Sequence, residues 1–383
     1  MKLTIERAAL LRALGHVQSV VERRNTIPIL SNVLLHAEGA RGAEAPGLAL
    51  SATDMDLEIV ERVPAAIERE GRATVPAHTL YEIVRKLRDG AQIEIEAPTG
   101  AEGGERNMMV LRSGRSTFTL SCLPAEDYPL MASGELPHGF TLSAAELKSL
   151  IDRTRFAIST EETRYYLNGI YLHATKSDEV PVIRAVATDG HRLARVELVL
   201  PEGAAGMPGI IVPRKTVLEL RKLVDESEAE VQIALSDTKI RFAVGAAALT
   251  SKLIDGTFPD YDRVIPTGND KVLEVNCREF AEAVDRVSTI SSEKSRAVKL
   301  AVENGSLAVS ATSPENGTAV EEIEVRYLAA PIEIGFNSRY LLDIADQIGG
   351  DGARFLLADS ASPTIVRDSA DGSALYVLMP MRV

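Results

Sequence analysis

Within the stretch ATDGHRLARVEL, Ala187 to Leu198, an aspartate, a glycine and a histidine stand in a row. Asp189 and His191 are residue types that move protons near neutral pH, and facing a common cleft they would suit general acid–base chemistry. Asp-Gly is equally a strong signal for a tight hairpin turn, because both residues tolerate positive φ. A catalytic reading needs a third group. The chain carries no phosphate-binding loop, nucleophile elbow, HExxH or paired-carboxylate motif to supply one. The turn is the simpler reading, and what the histidine is for depends on the elements around it.

Those elements belong to a chain of 383 residues, long enough for about two or three domains. Hydrophobic content of 45% and charged content of 25% describe a globular protein with an adequate core. Aromatics make up only 4% and tryptophan is absent, so aliphatic side chains must fill that core. Cys122 and Cys277 lie far apart with no partner motif, which implies neither a disulfide framework nor a metal site and fits a reducing compartment. Glu6 and Arg7 interrupt the N-terminus before a signal-peptide core can develop, and no apolar run approaches membrane-spanning length. A cytoplasmic protein is expected. A net charge of −13 argues against gripping nucleic acid through an overall positive field, though not against a locally basic face.

Internal repetition is the most informative pattern. LALSATDMDLEIVERVP at 48–64, VIRAVATDGHRLARVELVLP at 182–201 and SLAVSATSPENGTAVEEIEV at 306–325 align on Thr53, Thr188 and Thr312. Segments around Pro76, Pro213 and Asn337, and others around Ile5, Leu142 and Val275, keep nearly the same offsets. The chain therefore reads as three diverged copies of one domain, over residues 1–132, 138–266 and 271–383. Pro-, Gly- and Asp-rich stretches at 127–140 and 258–271 fall where linkers are required. The Gly- and Ala-rich stretches EGARGAEAPG and EAPTGAEGGERN read as solvated loops inside the first copy.

Each copy embeds two amphipathic helices among many strands. Leu10, Leu14, Val17 and Val21 form one helical stripe, Leu80, Ile83, Val84 and Leu87 a second, and Leu341, Ile344 and Ile348 a third. Ser143 and Glu146 form a capping box ahead of Leu147, Leu150 and Ile151. Alternating segments such as TLSCL and RFAV read as half-buried antiparallel strands. The expected class is α+β, with helices to one side of the sheets. Basic residues including Arg12, Arg85, Lys86, Arg153, Arg155, Arg221, Lys222, Arg278 and Arg286 lie on or beside helices, interspersed with Glu82, Glu146, Glu219 and Glu282, as a solvated mixed-charge face also would.

RNTIPILSNVLL at 24–35, RYYLNG at 164–169, ATDGHRLA at 187–194, FPDYDRVIP at 258–266, IGFNSRYLLD at 334–343 and the terminal YVLMPMRV occur once each and in this order. Together with the threefold repeat, they resemble the β subunit of bacterial DNA polymerase III, the sliding clamp family, across essentially the whole chain. The resemblance implies the DNA-clamp fold: a head-to-tail homodimer closing into a ring, helices lining the hole, antiparallel sheets outside and duplex DNA threaded through without sequence preference. A ring holds DNA by topology, so modest basicity inside an acidic shell suffices. Arg24 and Lys148 are the residues it assigns to DNA contact. It pairs Phe118 and Leu120 of the first domain with Thr289 and Ile290 of the other subunit's third domain, Thr289 standing where an aliphatic residue is frequent. The alternation of Phe118 and Leu120 alone is equally that of an ordinary interior strand.

The resemblance also gives the histidine a place. The first copy has Met55-Asp56 where the middle one has Gly190-His191, and the third has Ser313 in place of Asp189, so the imidazole is special to the middle copy. In the family this segment is one wall of a pocket that receives short linear peptides from polymerases, including the polymerase III catalytic subunit, from the clamp loader and from repair proteins. Carried over, the pocket takes Leu167, Thr188, Gly190, His191, Arg192 and Leu193 from the middle copy. The linker adds Pro259, Arg263 and Val264, and the third copy Asn337, Tyr340, Val377, Met379, Pro380, Met381 and Arg382. The two methionines suit a surface accepting several partners, and accessible apolar groups beside Arg192 and Arg382 would take leucine- or phenylalanine-bearing motifs and steer their acidic or amide groups. Ser295 departs from a frequent large aromatic, and Ala361 and Pro363 differ at the rim. No cofactor, metal or membrane partner is expected. The competing classes are a clamp paralogue outside replication and a protein-binding scaffold without DNA, which share every pocket residue and differ in topological loading on DNA.

Overall fold

The computed structural model describes residues 1–40, 45–98, 108–132, 134–225, 228–292 and 296–382; Ser295 and most of the second Gly-rich stretch lie outside them. Every strand pairing among the described residues is antiparallel, as the alternating patterns require. Among the described residues six α-helices accompany the strands: α1 (Arg7–Gln18), α2 (Ala77–Lys86), α3 (Ala144–Arg155), α4 (Arg214–Asp225), α5 (Cys277–Ser288) and α6 (Ser338–Ala345). None is long and apolar enough to cross a membrane.

The chain divides into two compact units, Met1–Lys148 with Lys215–Leu253, and Ser149–Arg214 with Ile254–Val383. The first unit holds a five-stranded and an eight-stranded sheet. In the larger sheet, strand Ala247–Lys252 of the middle repeat pairs with strand Leu57–Pro64 of the first, from Ala247 opposite Glu61 to Ser251 opposite Leu57. The second unit holds a nine-stranded and a four-stranded sheet. There strand Arg192–Val199 of the middle repeat pairs with strand Ala374–Leu378 of the third, Leu193 opposite Val377. Strands from neighbouring repeats thus continue one another's sheets, and each shared sheet leaves one pair fewer of exposed edges.

Helix packing follows the expected stripes with informative departures. On α1 the buried residues are Leu10, Ala13, Leu14, His16 and Val17. Val21 is also buried, but beyond the helix, which stops at Gln18 where the C-cap Ser19 hydroxyl turns back onto the His16 carbonyl. His16 is buried because its Nδ1 lies 2.5 Å from the Glu61 carboxylate, a polar pair inside the core. On α2, Leu80 and Val84 are buried, whereas Ile83 and, just past the helix end, Leu87 are only half-buried because they line a surface cleft beside Phe118. The Ser143–Glu146 capping box forms as expected: Ser143 N–H donates to the Glu146 carboxylate at 2.8 Å and Glu146 N–H to the Ser143 hydroxyl at 3.2 Å. In the third copy Leu341 and Ile344 are buried on α6, and Ile348 follows the helix end, half-buried.

Candidate functional site

The Asp189-Gly190 pair is a turn. Gly190 has φ +88°, and Asp189 Oδ1 accepts the backbone N–H groups of His191 at 2.9 Å and Arg192 at 3.0 Å. Thr188 Oγ1 accepts from Gly190 N–H at 3.1 Å and donates to the Arg192 carbonyl at 2.7 Å. With the Asp189 carboxylate engaged by its own loop and His191 exposed, the acid–base reading has no geometry to support it. The device repeats in the other copies. Asp54 Oδ1 accepts from Asp56 and Leu57 while Met55 takes φ 79°, and Ser313 Oγ accepts from Glu315 and Asn316 at 3.4 Å.

Arg192, which follows the turn, is buried and engaged at each nitrogen. Nε donates to Asp189 at 3.1 Å, Nη1 to Asp343 at 2.5 Å and Nη2 to the Phe156 carbonyl at 2.5 Å. Its guanidinium lies 4.2 Å from the Tyr340 ring centroid and 5.1 Å from that of Phe156. The expectation that it steers an incoming acidic group gives way to a different role: it is a strut tying the middle-copy turn to α6. Phe156 and Asp343, which complete it, escaped the sequence reading. Asp343 lies inside the segment IGFNSRYLLD, but only the fold reveals its partner.

Leu167, Leu193 and Val377 are likewise buried rather than accessible, joined in one apolar cluster with Val186, Phe258, Tyr261 and Ile365. They form a floor. Accessible above it are Val264 (51% exposed), Met379 (41%), Pro259, Arg263, Gly190, His191 and Arg382, with Thr188, Asn337, Tyr340, Pro380 and Met381 half-exposed. The segment after strand Ala374–Leu378 is pinned at two points. Met379 N–H donates to the His191 carbonyl at 2.9 Å, and Met381 N–H to the Gly335 carbonyl at 2.8 Å. Asn337 caps α6 by accepting Arg339 N–H at 3.0 Å, which places Tyr340 on the first turn. Met381, Arg382 and the exposed Ala361 border a cleft of about 740 Å³ that Lys299, Ser310 and Glu333 also line. The rim turn is set by Asp359, which accepts the N–H groups of Ala361 and Ser362; these donors hold its carboxyl below the usual range. Pro363 is fixed through its carbonyl, which accepts from the Asn269 amide at 2.9 Å.

The two residues assigned to DNA differ in setting. Arg24 is exposed in the loop after α1. Lys148, on α3, has Nζ 2.6 Å from Asp225 of α4, and Arg221 reaches the other oxygen of that carboxylate at 2.5 Å. Hydrogen bonds from Arg221 and then Lys148 pull the Asp225 carboxyl down to about 2. Other basic helix residues are similarly matched: Arg85 with Glu82 at 2.7 Å, Arg278 with Glu282 at 3.0 Å and Arg286 with Glu321 at 2.6 Å.

Phe118 and Leu120 lie half-buried on strand Ser116–Ser121, the last strand of the five-stranded sheet. Beside them is a cleft of about 550 Å³ lined by His78, Ile83, Lys86, Leu87 and Phe118. Thr289 and Ile290 follow α5, Thr289 exposed and Ile290 half-buried, and the Asn316 amide reaches the Ile290 carbonyl at 3.5 Å. Next to them strand Gly317–Glu324 is the last strand of the four-stranded sheet.

Comparison with known proteins gives the same frame. Models of the DNA polymerase III β subunit match residues 1–132 as its N-terminal domain, 141–260 as its central domain and 262–382 as its C-terminal domain. The β sliding clamp of Caulobacter vibrioides is 57% identical over 383 residues, and that of Escherichia coli K12 is 40% identical over 385 residues, each match covering 100% of both chains. Among solved structures, a Caulobacter crescentus β sliding clamp with polyethylene glycol bound aligns with TM-score 0.95 at 57% identity, covering 100% of this chain and 99% of that one. The clamp of Bartonella birtlesii bound to griselimycin aligns with TM-score 0.94 at 51% identity, covering 100% of both. With the three repeats, the antiparallel sheets and these full-length matches in hand, the chain belongs to the DNA polymerase III β subunit family, the β sliding clamps.

Proposed function

We propose that two copies of this chain join head to tail into a ring around duplex DNA and tether the replicative polymerase, the clamp loader, other polymerases and repair proteins through short linear peptides. As a β sliding clamp the protein performs no catalysis; it is an accessory subunit that confers processivity, and it works in the bacterial cytoplasm. The observation that carries the ring is the pair of terminal sheet edges. Strand Ser116–Ser121 and strand Gly317–Glu324 each have a neighbour on one side only among the described residues. Each sits beside apolar side chains that stay half-exposed in the single chain, Phe118 and Leu120 in one case and Ile290 in the other. Joining the two edges antiparallel would satisfy both ladders, while Ile290 would enter the cleft beside Phe118. The peptide pocket takes the accessible Val264 and Met379 as its apolar contacts, Arg263 and Arg382 as its charged ones and the Leu167–Leu193–Val377 floor beneath.

Light scattering on the full chain tests the ring. A mass of about twice 41.3 kDa is expected, falling to the single-chain mass in Phe118→Asp and in Ile290→Asp. A monomeric unaltered chain at micromolar concentration would overturn it. On nicked circular DNA the loaded clamp should be retained through high salt and released by linearising the circle, since topology rather than contact affinity holds it.

A further inference from the structure

Tyr261 stands at the start of the short 3₁₀ turn Tyr261–Val264, in the linker that carries Pro259, Arg263 and Val264. It is buried, and its two ends face different chemistries. The ring lies in the apolar floor with Leu167, Leu193 and Val377. It meets Phe258 and Tyr171 edge-on, each with centroids 6.4 Å apart, while Phe258 stacks on Tyr171 at 4.9 Å. The hydroxyl leaves that floor and meets a buried polar network. Arg184 Nη1 donates to it at 2.7 Å, and His173 Nε2 lies 2.9 Å away. Arg184 is itself buried and paired through Nη2 with Glu197 at 2.7 Å.

These partners come from separate strands of the nine-stranded sheet: His173 from Gly169–Ser177, Arg184 from Val180–Thr188 and Glu197 from Arg192–Val199. One phenol therefore registers the linker against two strands directly and, through Arg184, against a third. A phenol that accepts from a guanidinium keeps its single proton free to donate, and a neutral imidazole nitrogen is the acceptor that fits. Burial, and next the Arg184 charge, hold His173 below its usual range, in keeping with that neutral form. Two and three residues beyond Tyr261, Arg263 pairs with its neighbour Asp260 at 2.8 Å, and Val264 is half exposed. Among the described residues the turn that carries them is held to the sheet by the Tyr261 hydroxyl and, at longer range, by Asp262, whose carboxylate lies 3.7 Å from Arg184 and 3.9 Å from Arg195.

We propose that Tyr261 is a positioning residue for the peptide pocket: without touching the peptide, its hydroxyl holds the linker wall bearing Arg263 and Val264 at the distance an apolar peptide side chain requires. The proposal rests on the pocket reading given above. It distinguishes Tyr261 from an ordinary core aromatic, whose hydroxyl would be dispensable to binding once the ring is kept.

The test is a double-mutant cycle on the full chain, read by fluorescence anisotropy with a labelled hexapeptide ending in Leu-Phe. Tyr261→Phe keeps the ring and its stacking and leaves Arg184 its Glu197 partner, so the melting temperature should move by only a few degrees. It should weaken the peptide about fivefold, the size one net hydrogen bond carries. Val264→Ala should weaken binding in the unaltered chain but change it less than twofold in the Tyr261→Phe background, because the wall is already displaced. Unchanged affinity in Tyr261→Phe, or losses that simply multiply in the double variant, overturns the positioning role while leaving the pocket intact. Absence of hexapeptide binding to the unaltered chain overturns the pocket reading itself, and the positioning role with it.

Discussion

At the scale of single residues, several charged side chains proved to be committed inside the protein. Arg192 is the clearest case, since three oxygen acceptors and two aromatic rings surround a guanidinium that the sequence offered as a docking charge. Lys148 is similar but only half-buried, with Asp225 matched between it and Arg221. Because the Asp225 carboxyl titrates at about 2, it stays charged throughout the physiological range and offsets part of the positive face it adjoins. Asp225→Asn should therefore raise the affinity of the clamp for duplex DNA at low salt. The log–log salt slope should steepen by about one unit if Lys148, relieved of this carboxylate, meets a phosphate, and by more if Arg221 does so as well. A salt titration by anisotropy reads it, and an unchanged slope would place Lys148 and Arg221 away from DNA. At Gly190 the sequence was fully legible, because Asp-Gly needs only local turn geometry. Gly190→Ala should cost about 1 kcal/mol, the strain of an alanine at positive φ. The nearest obstacle to its Cβ, the Arg164 guanidinium at 2.6 Å, is the far end of a flexible side chain, paired with Glu161 at the surface, and can move. A denaturation midpoint equal to that of the parent would show the turn to be more plastic than its φ suggests.

At the scale of elements, the boundaries that rest on local chemistry were legible and those that rest on neighbours were not. The Ser143–Glu146 box announces α3 because both of its hydrogen bonds join residues three apart. Ser143→Ala should accordingly cost about 1 kcal/mol in chemical denaturation. Val21 and Ile348 continue a helical stripe in the sequence, yet their helices stop before them, and both still find cover. Ile83 and Leu87 show the converse. Their spacing reads as core, but they line a cleft, since periodicity reports which side chains are apolar and not whether the surface they meet belongs to the same chain. Tyr261 and Phe258 lie within a linker whose Pro and Asp content reads as exposed chain. The Tyr261 hydroxyl is held by His173 and Arg184 and the Phe258 ring stacks on Tyr171, all far away in sequence, and no local pattern announces it.

At the scale of the whole molecule, acid should act through the buried imidazole beside that linker. His173 has a folded pKa below its unfolded value of 6.5, so the unfolded chain binds the extra proton first. The stability this group protects is fully present above 6.5 and falls as pH drops from there toward the folded pKa, levelling off once the folded form is protonated as well. Thermal melts of the unaltered chain between pH 7.5 and 5 should decline, and a His173→Gln variant should flatten the decline even if its overall stability is lower. An identical slope in both would assign the acid sensitivity to other groups. The threefold repeat was legible because duplicated segments keep their order, and the class of fold followed from it. The sharing of sheets was not legible, because strand pairing across a repeat boundary leaves no mark on either repeat alone.

That sharing separates ancestry from cooperativity. The middle repeat was inherited as one segment, yet strand Ala247–Lys252 extends the sheet of the first repeat while strand Arg192–Val199 extends that of the third. Cut out as a free domain, it would lose both neighbours and expose two bare strand edges, an invitation to self-association. Hydrogen exchange on the intact chain should find its amides falling into two protection classes, one following the residues before it and one following those after, so that the segment copied as a whole opens in halves.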